Sequence, residues 1–156
     1  MKTCAFKTNF LIVIIAIAFL GTAMLLPSAL FGANIQYNLS SGLFGLPANA
    51  ASVDWMIVNN SARSQTVTVT VFQAGVGPKS IVPPGPLTIT IPAAETYHNA
   101  NNVGTNQPFV PGFYYEVEVL TTSWDVLPSV HIWQDFGNTV IPGTLIPPGS
   151  WVRRLN

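Results

Sequence analysis

Gln65–Gln73 reads QTVTVTVFQ. Val67, Val69 and Val71 fall on one side of this run, and Thr66, Thr68 and Thr70 fall on the other. Side chains alternate faces along a strand, so this pattern predicts a half-buried antiparallel strand with valines inward and threonines in solvent.

The same alternation extends downstream. In LTITIP, Leu87, Ile89 and Ile91 are predicted to face inward. In FYYEVEVL, Phe113, Tyr115, Val117 and Val119 face inward, and Tyr114, Glu116 and Glu118 face outward. In LPSVHIWQDF, Val130, Ile132 and Phe136 share the inner face, with His131, Trp133 and Asp135 opposite. Upstream, SVDWMIVN is apolar on both faces, which places it centrally in a sheet. NIQYNLS and TLIPPGSWVRRL read as terminal or edge strands.

Turn signals recur at short spacing: NNSARS, GVGPK, PPGP, PGF, FGN and IPPGS. IVPPGP and LIPPGS read as two Pro-Gly turns feeding similar strands, because proline cannot donate to a ladder. Ala93–Gly112 reads as one long irregular stretch, a length that in a compact domain often carries function. No helix pattern appears in this part. The expected fold is all-β: one antiparallel β-sandwich, immunoglobulin-like or jelly roll, of about seven or eight strands, preceded by one hydrophobic N-terminal helix.

From Ser52 to Trp133 the order of segments resembles bacterial immunoglobulin-like surface modules. A strand ending IVNN is followed by TVTVTV, then by a strand ending IPA, then by a Tyr-rich strand. The paired cysteines of antibody-type domains are absent. The resemblance implies a sandwich on a cell surface or in an extracellular assembly, and no particular activity.

The N-terminal segment sets location. Lys2 and Lys7 precede a continuous apolar run, Phe10–Leu20, and the next charge is Asp54. Gly21-Thr22-Ala23 offers a signal-peptidase site, so residues 1–33 read as a secretion signal. Apolar character continues to Ala33, long enough for a membrane anchor with its N-terminus in the cytoplasm. Both readings stand, and both put residues 34–156 outside the cytoplasm, either secreted or on a single-pass anchor.

Only 8% of the 156 residues are charged, against about 25% in ordinary soluble domains. Beyond residue 33 there are four basic side chains (Arg63, Lys79, Arg153, Arg154) and six acidic ones. With no basic patch to neutralise phosphates, nucleic acid is not an expected partner. The sole cysteine, Cys4, precedes the apolar run. The exported part therefore has no disulfide, thiolate-zinc site or thiol nucleophile.

Several residue groups are candidates for chemistry. Glu116 and Glu118 share a strand face, where paired carboxylates can move protons or hold a cation, or simply discourage edge pairing. If the next strand pairs alongside, His131 and Trp133 join them, an aromatic–carboxylate–imidazole face suited to a sugar or peptide. Glu95 and His98 are three apart, but in a loop they make no helical metal pair. With two histidines in the chain, a multi-histidine site cannot form in one copy. No GxSxG elbow, phosphate loop or dinucleotide fingerprint is present. Asn38 and Asn59 head N-glycosylation patterns. Arg153 and Arg154 are the only adjacent basic pair in the exported part and could meet the acidic face of a neighbouring copy head to tail.

These readings lead to a non-catalytic extracytoplasmic domain acting in cell-surface assembly or protein interaction. No cofactor is expected. The expected partners are the membrane (if the N-terminal segment is kept), another copy, a surface protein or a glycan. One alternative is a carbohydrate-binding module using Trp133, Trp124, Tyr97 and Tyr114. Another is a hydrolase using Glu116 or Glu118.

Overall fold

The computed structural model describes residues 35–135 and 139–155. The predicted N-terminal helix, its cleavage or retention, and the predicted inward Phe136 lie outside the described residues. Ile35–Asn156 forms one compact unit.

Nine strands are described: β1 (Tyr37–Ser40), β2 (Phe44–Gly45), β3 (Ser52–Asn59), β4 (Gln65–Ala74), β5 (Ser80–Ile91), β6 (Thr96–Asn102), β7 (Tyr114–Thr121), β8 (Val126–Trp133) and β9 (Val152–Leu155). They build two antiparallel sheets. The larger has the order β5-β4-β7-β1-β9, with β2 also beside β7, and the smaller has the order β6-β3-β8. Among the described residues no helix is long and apolar enough to cross a membrane.

The valine face of β4 is the floor of the core. Val67, Val69 and Val71 are buried, and so are their β7 counterparts Tyr115, Val117 and Val119. Each buried aliphatic side chain contributes about 1.5–3 kcal/mol relative to exposure. From the smaller sheet come Val53, Trp55 and Ile57 of β3 and Val130 and Ile132 of β8. Phe109 fills the space between them, its ring 6.2 Å from that of Trp55 and 4.9 Å from that of Tyr115. On the outer face, Thr66 and Thr68 hydrogen-bond across the strands to Thr90 and Thr88, each at 3.1 Å.

Some expectations change. β1 is not an edge strand, because it pairs with both β7 and β9. Phe113 lies before β7 and is 47% exposed rather than inward. The prolines of IVPPGP do not form a turn ahead of a strand. They lie within β5, where the β4 register shifts between Val69 and Val71. The second proline motif does form a turn, a short 3₁₀ segment at Pro148–Ser150. The irregular stretch after Ala93 contains β6, which pairs with β3 along its length.

Candidate functional site

Glu116 and Glu118 occupy the outer face of β7, as their spacing requires. Their neighbours come from β1 and from the β4–β5 connection. Lys79 Nζ donates to Glu116 Oε2 at 2.6 Å and to Glu118 Oε1 at 3.2 Å. Ser40 Oγ donates to the other Glu116 oxygen, and Asn38 Nδ2 donates to Glu118 Oε2 at 3.1 Å. The Lys79 ammonium also lies 4.6 Å from the centre of the Phe72 ring. Burial opposes ionisation of Glu116, but hydrogen bonds from Lys79 and Ser40 and the charges of Lys79 and Arg154 outweigh it. The carboxyl is held below the ordinary range. The hydrogen bond to Glu116 likewise outweighs burial at Lys79 and raises the ammonium. This arrangement clamps the two carboxylates together around one ammonium.

His131 and Trp133 do not join that face. β8 lies in the smaller sheet, beside β3, while β7 lies in the larger sheet between β4 and β1. The four-residue face expected from adjacent pairing therefore does not form. His131 and Trp133 stack on each other instead, with ring centres 5.8 Å apart and planes at 16°.

Directly opposite His131 stands Asp54 of β3, only 4% exposed. His98 Nε2 donates to its Oδ2 at 3.1 Å, and Oδ1 has no protein partner. His131 Nε2 shares a hydrogen bond with Ser129 Oγ at 3.2 Å. Burial lowers the His131 imidazole below its ordinary value, Asp54 pulls it back upward, and His98 lowers it further. Serine, histidine and aspartate are thus neighbours without forming a relay: Asp54 bonds one histidine and Ser129 the other. Among the described residues no group of three or more His, Cys, Asp or Glu side chains is placed to hold a metal ion. Asp54 had a sequence signal, as the one charge inside the apolar run SVDWMIVN. A buried charge in such a strand calls for a partner.

Asn59, the head of one glycosylation pattern, is fully buried. Its Nδ2 faces the carbonyls of Arg63, Ile91 and Pro92 at 2.8, 3.0 and 2.8 Å, and its Oδ1 accepts from Ser61. Asn38 is held by Glu118. Both amides serve the fold.

Aromatic side chains do not gather into a platform. Tyr97 packs against the core, Trp133 is half-buried, and Tyr114 and Trp124 are exposed. Tyr114 opens β7 and Trp124 follows its other end, and that strand is about 23 Å long at 3.3 Å per residue. Arg153 and Arg154 both have interactions within the chain. The Arg153 guanidinium sits 4.7 Å from the Trp124 ring centre and donates to its carbonyl at 3.1 Å, while Arg154 acts on Glu116.

The domain has two unlike ends. The short β3–β4, β5–β6 and β7–β8 connections lie together, joined by Asn59 N donating to Glu95 O and Asn60 N donating to Asp125 O, each at 2.9 Å. The start of β1 and the end of β9 lie there too, since Tyr37 pairs with Thr121 and Leu155. The β1–β2, β2–β3, β4–β5, β6–β7 and β8–β9 connections lie at the far end, the longest among them, with exposed Leu43, Val76, Phe113 and, at the start of β7, Tyr114. A groove of about 410 Å³ opens between β2 and residues 143–146, lined by Leu43, Phe44, Ile132, Leu145 and Ile146.

No protein-family model matches the chain, and no curated protein matches it. Among solved structures it aligns with the crystal structure of Thermotoga maritima 1070 at 7% identity, over 76% of this chain and 90% of that one, with a TM-score of 0.45. A likeness that weak carries no argument about function.

Proposed function

We propose that this chain is a non-catalytic extracytoplasmic domain that acts in cell-surface assembly or protein interaction. The supporting observation is the cluster of exposed Leu43, Val76, Phe113 and Tyr114 at the loop-rich end, continuous with the groove under Leu43 and Leu145. Exposed apolar side chains grouped in this way mark contact surfaces, and loops on a rigid scaffold are the usual place for them. The clamped carboxylates favour this reading over hydrolysis, since both are already engaged by Lys79. The dispersed aromatics disfavour the glycan reading.

Between the two sandwich types, the jelly roll fits better. Successive strands change sheets at every step except β1–β2 and β4–β5. In the immunoglobulin arrangement the last two strands of the sandwich lie side by side. Tyr115 does share one immunoglobulin-like feature: its hydroxyl accepts from Val110 N at 2.7 Å, tying the start of β7 to the chain just before it.

Cross-linking on intact cells tests the function. The exported chain is expected to give covalent adducts with itself or with another surface protein. Leu43→Asp combined with Phe113→Asp should remove them without shifting the thermal midpoint. A wild-type chain that yields no adduct would count against the reading.

A further inference from the structure

The end opposite the loop-rich contact surface has its own composition. Trp124 is 55% exposed, yet its ring is held in place. Tyr37 packs against it with ring centres 4.5 Å apart, and Arg153 lies over it. Ile35, also exposed, precedes Tyr37. Three of the four basic residues beyond residue 33 are at this end: Arg63, Arg153 and Arg154. Glu95 and Asp125 are there as well. Arg154 acts on Glu116 on the outer face of the larger sheet, so the cation that stands at the Trp124 ring is Arg153.

Chain connectivity identifies what lies close by. Only Asn34, Ile35 and Gln36 separate Tyr37 from Ala33, the last residue of the apolar N-terminal segment. Four residue steps reach at most about 14 Å. If that segment stays in a bilayer, a headgroup layer about 5–8 Å thick begins where it ends. Trp124, packed at a tilt against Tyr37, is then within reach of lipid headgroups. Tryptophan favours that layer, where its amphipathic ring sits at headgroup level. Arginine beside it suits lipid phosphate.

We infer that the Tyr37–Trp124–Arg153 end rests on the lipid surface, with the Trp124 ring at headgroup depth and Arg153 toward anionic lipid phosphate. This inference rests on retention of the N-terminal segment. The opposite end then points away from the membrane and is presented to partners.

The test uses the full chain in vesicles of equal parts phosphatidylcholine and phosphatidylglycerol, with acyl chains brominated near the headgroup. The expected result is loss of the Trp124 share of the emission, obtained by comparison with Trp124→Phe. A tryptophan placed at the far end, by Tyr114→Trp in the Trp124→Phe background, should keep its emission. A chain that floats with the vesicles while wild type and Trp124→Phe quench equally overturns the lipid contact alone. A chain that does not float removes both the retained segment and the contact.

Discussion

Lys79 and Glu116 meet at 2.6 Å although 37 residues separate them. The contact pins the β4–β5 connection to the middle strand of the larger sheet. Lys79→Met should leave the Glu116 carboxylate short of a donor in a mostly buried place. The expected loss is about 1–2 kcal/mol in urea unfolding, below the range for fully buried pairs because Lys79 is partly solvated.

The same pair sets an acid limit. Glu116 titrates lower in the folded chain than in the unfolded chain. As pH falls below the ordinary glutamate value, the unfolded state takes up a proton that the folded state resists. Stability should therefore be full above about pH 4.5 and decline below it. Glu116→Gln should flatten that part of the profile.

His131 acts in a higher window. Its folded value is also depressed, here by burial of the imidazole. An unfolded chain protonates it near pH 6.5, and the folded chain needs a lower pH. Stability should thus fall as pH drops through about 6.5 toward the lower folded value. His131→Asn should remove that slope while leaving the glutamate-dependent one. An unchanged slope in the variant would place its origin elsewhere.

Asn59 joins three backbone segments with one amide. Asn59→Leu would leave the carbonyls of Arg63, Ile91 and Pro92 without this donor. Unfolding is expected to become easier by about 2–4 kcal/mol, since each stranded buried group costs about 1–3 kcal/mol. Denaturant midpoints would show the change.

Gly85 lies where β5 passes close to β4. A Cβ there would stand 2.9 Å from the Val71 backbone nitrogen. Gly85→Ala should cost about 1–3 kcal/mol by overpacking, and the thermal midpoint would report it.

The legible parts of the fold were those where burial alternates along the strand. In β4 every second residue from Val67 to Val71 is buried, so the sequence period and the burial period coincide. β3 is central, as its two apolar faces require. β6 was hidden because it carries no apolar alternation. Its core-side positions are Tyr97, Asn99 and Asn101, and the asparagines bond each other and Val53 O rather than packing. Its strand character comes from backbone pairing with β3, which composition does not record. The candidate site was split for a related reason. Nothing in FYYEVEVL says that β7 pairs with β4 and β1, both distant in sequence, instead of with the strand that follows it. The aspartate at the centre of the histidine cluster was visible as an anomaly in an apolar strand, but its partners come from two other strands.

β5 forms one open margin of the larger sheet and carries Pro83, Pro84 and Pro86, all exposed. Each lacks the amide hydrogen that an incoming strand would need. The other margin, β9, has no proline. Sheet-to-sheet joining of two copies through the larger sheet is therefore easier at β9 than along the proline-bearing part of β5. A contact of β9 with β9 is isologous and uses up the β9 margin of each copy, leaving only the proline-bearing β5 margins of the larger sheet. The prolines make the larger sheet a poor seed for fibres, which suits a weakly charged protein that has little electrostatic repulsion to keep its copies apart.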